Sequence, residues 1–167
     1  MAFWLVVTSV FAYAGEELEH QCPDQLADEH GEHPSKKWDL TLSPYTHHWQ
    51  YNADHRHVYL GAIDRHIAGN RFCGFAIFTN SFGQNSAYLY AGKQWNGILG
   101  NHQFFTKVSA GIRYGYHGQY KDKIPLNNYG IAPAIIPSIG YAVTPEHSAQ
   151  VFLLGTAGLL FAYTHSF

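Results

Sequence analysis

Two short segments of the chain carry residues that could act as a base and a hydroxyl in one reaction. They are Thr46-His47-His48 and Phe78-Thr79-Asn80-Ser81. A histidine within reach of a hydroxyl can serve as general base in acyl transfer. Surface loops commonly carry both residue types, so the pairing becomes informative only if the surrounding elements bring the two segments together.

The same region could instead bind a metal ion, because histidines cluster around it: His47, His48, His55 and His57. A zinc site needs a defined ligand set that is held by further hydrogen bonds. These histidines have no cysteine partner and no repeated spacing. We therefore expect exposed loop histidines and no metal.

The first segment ends a strand with two unlike faces. Trp38, Leu40 and Leu42 fall on one face, and Asp39, Thr41 and Ser43 fall on the other. Strict alternation would send His47 to the polar side and His48 to the apolar side. A bulge at Pro44 would reverse the two histidines.

The rest of the chain repeats strand and turn. The predicted strands are 38–48, 57–66, 72–80, 87–95, 103–116, 131–143, 148–154 and 158–167. The clearest strand is 103–116, in which the two faces alternate throughout. Lys107 and Arg113 lie on one face, and Tyr116 lies on the other face, which is apolar. A soluble sandwich strand would turn its polar face to water, whereas a membrane barrel turns that face to its lumen. The pattern predicts an all-β fold, an eight-stranded antiparallel transmembrane β-barrel of the outer membrane.

Composition agrees with such a barrel. Charged residues make up 13% of the chain, aromatics make up 16%, and the formal net charge is -2. This charge gives no electrostatic case for binding nucleic acid.

The N-terminal region predicts export. Residues 1–14 resemble the apolar core and A-x-A site of a signal peptide that lacks its basic start. Residues 15–37 form a polar segment, either a short surface helix or a mobile leader, ahead of a barrel at 38–167. An exported protein can pair Cys22 with Cys73, but two cysteines are a weak signal and unpaired thiols are the expectation.

Barrel topology brings the two candidate segments to one rim. With the N-terminus in the periplasm, the first and third strands both run outward, so their ends meet at the external face. Pro133 and Pro137 lie inside the sixth strand, where proline cannot donate to a ladder, so we expect one flank of the barrel to be open. Apolar or small residues at inward positions, such as Ile136 and Leu160, suggest a lumen that holds an acyl chain.

Several motifs from Trp38 to Phe167 resemble the PagP family of lipid A palmitoyltransferases. They are Asp39-Leu40, Thr46-His47-His48, Phe78-Thr79-Asn80-Ser81, Gly92, Ile124-Pro125-Leu126, Pro137 and Gly140-Tyr141. Members of this family are outer-membrane barrels that move a palmitoyl group from a phospholipid to lipid A. The resemblance therefore implies a phospholipid donor, a lipid A acceptor, no cofactor and a monomer in the outer membrane.

The resemblance also implies individual roles. The catalytic histidine falls on His48, with His47 as the fallback, and the catalytic serine falls on Ser81. Asn80 stands where the family has Asp, so either another acid such as Asp54 replaces it, or catalysis is weaker, or no full triad is needed. Gly92 corresponds to the small residue at the floor of the family's acyl-chain site, which favours palmitate. Pro125, Pro133 and Pro137 correspond to the family's prolines at the lateral entrance for lipid.

Two other functions remain open. A lipid A deacylase would share the barrel and the substrate, but its His-x-Ser pattern is represented only by His165-Ser166, at the periplasmic end. A non-enzymatic barrel for adhesion or membrane integrity would have a lumen plugged by polar networks, without an acyl-sized apolar cavity.

Overall fold

The described part of the chain is a closed antiparallel barrel. The computed structural model describes residues 37–167, and each strand pairs with its neighbours in chain order until β8 pairs with β1. The strands are β1 Trp38–His48, β2 Leu60–Ile67, β3 Arg71–Thr79, β4 Asn85–Asn96, β5 Phe104–Tyr114, β6 Ile131–Ala142, β7 His147–Leu153 and β8 Gly158–Ser166. The predicted eight-stranded barrel is confirmed. The predicted signal peptide at 1–14 and residues 15–36 of the polar segment lie outside the described residues.

The two faces of the strands separate as the alternation predicts. On β5, Lys107 and Ser109 are buried inside, whereas Ile112 is 60% exposed outside. Large apolar side chains are exposed around the outer surface, among them Leu42, Ile77, Leu89, Ile112, Ile135 and Phe161. An apolar exterior around a partly polar lumen is the arrangement that a bilayer requires. No helix within residues 37–167 is long and apolar enough to cross a membrane.

The barrel has a loop end and a turn end. The loop end carries the connections 49–59, 80–84, 115–130 and 154–157, and the turn end carries 68–70, 97–103 and 143–146. β1 and β3 both run toward the loop end. Their last residues, His48 and Thr79, therefore reach the same rim.

A buried polar network fills the lumen near the turn end. Lys107 Nζ donates to Asp39 Oδ2 at 2.8 Å and lies 3.6 Å from Asp64 Oδ2. His66 Nε2 is 2.8 Å from the same Asp39 oxygen, and the Tyr90 hydroxyl donates to Asp64 at 2.6 Å. Burying these charges is tolerable because each is paired and hydrogen-bonded.

Two seams of the barrel lose their pairing at the loop end. β6 pairs with β7 only over Ser138–Ala142, so the stretch from Ile131 to Pro137 has no partner on that side. β1 pairs with β2 only over Trp38–Ser43, and an open groove lies at this seam. The predicted loss of pairing beside the prolines of the sixth strand is confirmed on the β7 side, whereas the ladder to β5 continues past both prolines.

Cys73 lies on β3 and is disulfide-bonded. The expectation of an unpaired thiol is therefore wrong at this position. Cys22 lies outside the described residues.

Candidate functional site

A bulge in β1 decides which histidine enters the barrel. The register between β1 and β8 shifts between Leu42 and Tyr45, after which Thr46 pairs with Leu160 and His48 with Gly158. Because Leu160 is buried inside, Thr46 and His48 share the inward face, while His47 is exposed. The predicted bulge at Pro44 is confirmed.

His48 contacts the hydroxyl of Ser81. His48 Nε2 lies 2.8 Å from Ser81 Oγ, within hydrogen-bond distance. Ser81 belongs to the turn after β3, and its carbonyl accepts a hydrogen bond from the Arg56 backbone N–H at 2.8 Å. Two of the residues predicted from the sequence are thus brought together across the rim.

Asn80 holds the turn that carries Ser81. Its side chain is 1% exposed, and its Oδ1 accepts from the backbone N–H groups of Phe82 and Gln84 at 3.0 Å. Its Nδ2 donates to Gln84 Oε1 at 3.2 Å. With these bonds made, Asn80 acts on the position of Ser81 rather than on the orientation of His48.

The other side of His48 faces a second imidazole. The ring centroids of His48 and His55 are 4.2 Å apart, and His55 in turn meets the edge of Phe82 at 5.6 Å. In the described residues no hydrogen bond or ion pair joins Asp54 to His48. The site therefore has an aromatic neighbour where a triad would have a carboxylate.

Tyr116 closes the site from the loop after β5. It was expected on the lipid-facing side of an unbroken strand, and this expectation is wrong because β5 ends at Tyr114 and positive φ at Gly115 and Tyr116 redirects the chain. Tyr116 lies close to Ser81, and burial raises the pKa of Tyr116 above its usual value. Its ring faces the Arg113 guanidinium at 5.0 Å. The local signal for this redirection is Gly115, because glycine adopts positive φ readily.

An apolar cavity lies beneath the histidine and serine. It has a volume of about 60 Å³ and is lined largely by apolar side chains, including Leu60, Ala62, Ala76, Ile136, Phe152 and Leu160. Along β2 it extends from Leu60 to Asp64, about 13 Å at the rise of an extended strand. Because Leu160 pairs with Thr46, the upper wall of the cavity lies one inward layer below His48.

Phe72 separates this cavity from Gly92. Phe72 lines the cavity floor together with Tyr90 and Lys107, whereas Gly92 does not line it. A Cβ placed on Gly92 would lie 2.5 Å from Phe72 Cζ and 2.4 Å from the Val108 carbonyl oxygen. Gly92 thus provides room for the Phe72 ring, and the floor of the cavity is the ring itself.

The three prolines expected at the lipid entrance divide into two kinds. Pro133 and Pro137 lie in the unpaired part of β6. Pro125 lies in the exposed loop between β5 and β6, outside every strand, so it interrupts no ladder.

Within residues 37–167, no group of three or more His, Cys, Asp or Glu side chains is arranged to hold a metal ion. The rim histidines interact instead with rings, as His48 does with His55 and His47 does with Trp49 at 5.7 Å.

Comparison with known proteins supports the fold. The chain matches no protein-family model and no curated protein. It is similar to a solved structure described as "De novo design of transmembrane beta-barrels", with a TM-score of 0.59 and 13% identity, over 82% of this chain and 99% of that one. At this identity the likeness concerns the fold alone, which is that of a transmembrane β-barrel.

Proposed function

We propose that this protein is an outer-membrane acyltransferase that moves a palmitoyl chain from a phospholipid to lipid A. The observation that carries the proposal is the 2.8 Å contact between His48 Nε2 and Ser81 Oγ above an apolar cavity. The sequence resemblance to the PagP palmitoyltransferases adds the substrate class. In this proposal the loop end faces the cell exterior and the protein acts as a monomer.

His48 supplies the base in this reaction. Its Nε2 takes the proton of the hydroxyl that attacks the ester carbonyl, and a new acyl C–O bond forms. The C–O bond to the phospholipid glycerol then breaks, and the proton returns to the glycerol oxygen. In the one-step route the attacking hydroxyl belongs to lipid A. In the two-step route it belongs to Ser81, and the lipid A hydroxyl then attacks the acyl-serine ester, giving its proton to His48, while the C–O bond to Ser81 breaks and the Ser81 oxygen takes that proton back.

The unpaired seams provide routes for lipid. A phospholipid acyl chain needs a lateral path because barrel walls with complete ladders exclude it. The seam between β6 and β7 borders Ile136, which lines the cavity, and the groove between β1 and β2 borders Leu60, which also lines it. Both seams are at the same end as Ser81.

The test is a transfer assay with purified, refolded protein in mixed micelles. Phospholipid labelled in the palmitoyl chain is supplied with lipid A, and the products are separated and identified by mass spectrometry. We expect labelled lipid A with the native protein. Ser81→Ala should abolish the product if the route has two steps and leave some transfer if lipid A attacks directly. Label that remains on the phospholipid would refute the transferase, and labelled free fatty acid without acylated lipid A would assign a hydrolase.

The arrangement at the turn end does not favour a deacylase built on His165-Ser166. Ser166 Oγ donates to Asp39 Oδ1 at 2.6 Å inside the barrel, whereas His165 stacks on His147 with ring centroids 4.9 Å apart. The two side chains serve different contacts. The contact between His48 and Ser81 likewise favours acyl transfer over a barrel without enzymatic activity.

A further inference from the structure

Thr46 carries a hydroxyl that no described residue satisfies. Its Oγ1 is shielded from solvent and has no hydrogen-bond partner within residues 37–167. An unmade hydrogen bond on a buried hydroxyl costs free energy, and native structures rarely tolerate one without a reason. A ligand that accepts a hydrogen bond at this point would remove the cost.

The bulge places this hydroxyl between the base and the cavity. Thr46 is two residues before His48 on the same inward face of β1. Same-face neighbours on a strand are about 6.6 Å apart. Thr46 also pairs with Leu160, whose side chain lines the cavity, so the Thr46 hydroxyl lies where an acyl chain would meet the catalytic pair.

An ester fits this spacing. An attacking oxygen approaches a carbonyl carbon to about 3 Å, the C=O bond adds about 1.2 Å, and a donor to the developing oxyanion stands about 3 Å away. Together these give about 7 Å as the upper limit of the distance from the attacking oxygen to the donor. Ser81 Oγ already stands beside His48 at the place of an attacking oxygen, so the separate Thr46 hydroxyl is left to face the carbonyl oxygen.

We propose that the Thr46 hydroxyl donates a hydrogen bond to the carbonyl oxygen of the donor ester and to the oxyanion that forms from it. Thr46 gains and loses no proton and forms no covalent bond. The proposal rests on the proposed acyl transfer and adds to it a catalytic residue that touches the reacting atoms.

Thr46→Val is the informative substitution because it removes the hydroxyl and keeps the shape. We expect kcat to fall about 100-fold, the typical effect of losing one oxyanion donor, with little change in KM. Thr46→Ser keeps a hydroxyl and should restore most of the rate. Thr164→Val is the matched control, since the Thr164 hydroxyl is also buried in the lumen but is satisfied by Thr41 and Gln150.

Thermal unfolding separates a catalytic role from a structural one. Removing an unsatisfied buried hydroxyl should raise the unfolding midpoint of Thr46→Val by about 3 °C. The same change at Thr164 should lower the midpoint while leaving kcat unchanged. A variant that is more stable and less active is the signature of a hydroxyl kept for substrate.

The outcomes are distinguishable. If the native protein transfers acyl groups and Thr46→Val has an unchanged kcat, the proposed role of Thr46 is wrong. The proposal that the protein is a transferase is then unaffected. Loss of rate with a lowered midpoint, not restored by Thr46→Ser, also overturns the role of Thr46. Native protein without transfer removes both proposals.

Discussion

At Pro44 the first strand gains one residue against β8, and that residue decides which of two adjacent imidazoles enters the barrel. Without the shift, His47 would face Ser81 and His48 would face outward. The bulge also turns Thr46 inward, so one local irregularity positions both the proposed base and the proposed oxyanion donor. Bulges are often found beside active sites for this reason.

Substituting each histidine tests this assignment. His48→Ala should lower acyl transfer by at least about 100-fold, because a general base contributes that much or more. His47→Ala should stay near the native rate, since its ring lies outside against Trp49. Both variants are assayed by labelled palmitoyl transfer after circular dichroism confirms a folded barrel. Full activity in His48→Ala would move the base elsewhere.

The contacts of Asn80, the residue next to Ser81, show what holds the site in place of a carboxylate. Asn80 is fully used in fixing the turn, and His48 is flanked by His55 and contacted by Ser81. The raised pKa of Tyr116, which lies close to Ser81, keeps its hydroxyl protonated at neutral and mildly alkaline pH. Ser81 is thus held by the turn that Asn80 fixes and by the hydrogen bond from the Arg56 backbone.

At the scale of elements, the contact between β3 and β4 sets the depth of the cavity. Phe72 and Gly92 are paired across these strands, and the glycine gives space to the ring. Lys107 Nζ sits 5.1 Å from the centre of the same ring and holds it from below. A palmitoyl chain is larger than this cavity of about 60 Å³, so the proposed binding of such a chain requires the Phe72 ring to move.

Phe72→Ala should therefore deepen the cavity to Gly92 and shift the preference toward longer acyl chains. The measurement is competition among phospholipids with graded chain lengths, with acylated lipid A quantified by mass spectrometry. Phe105→Ala is the matched control: it also removes a lumen ring beside Lys107, but Phe105 does not line the cavity. An unchanged preference in Phe72→Ala would place the floor of the acyl site elsewhere.

The seam between β6 and β7 is the second feature at this scale. Pro133 and Pro137 have no backbone N–H, and the ladder to β7 begins only at Ser138. The proposed lateral entry depends on this gap.

Replacing both Pro133 and Pro137 by Val should extend the ladder and slow acyl transfer several-fold, because the added N–H groups allow pairing across the gap. Hydrogen exchange at the two new amides reports the pairing, and the transfer assay reports the rate. Pro125→Val, in an exposed loop, serves as the control. Protected amides with an undiminished rate would exclude this seam as the entrance.

For the whole molecule, the lumen is divided between a polar lower part and an apolar upper part. Lys107 pairs with two carboxylates in the lower part, while Leu60 and Leu160 enclose the cavity in the upper part. The network stiffens the barrel below the region where its seams are open. Stability and proposed activity thus occupy different ends of one lumen.

Lys107→Met should destabilise the barrel by about 3–5 kcal/mol, because it leaves Asp39 and Asp64 buried without their shared cation. Urea unfolding in lipid vesicles measures the change. Lys93→Met is the control, since Lys93 is exposed outside beside Trp95 and its loss should cost little. A small effect at Lys107 would mean that His66 and water compensate both carboxylates.

Much of this arrangement followed from local sequence. Alternation along each strand depends only on the period of two residues, so the barrel and its two faces were predictable, as on β5. Strand direction then brought His48 and Ser81 to one rim. The strand ends were less certain, as when the predicted strand 103–116 ended at Tyr114.

Only the tertiary structure decided what lies between those residues. The inward turn of Tyr116, the ring of Phe72 over Gly92 and the bonded state of Cys73 depend on partners that are distant in the chain. No local period encodes such contacts, because they arise when the barrel closes and its lumen must be filled. The pattern could place His48 at the rim, but the register of β1 against β8 turned it toward Ser81.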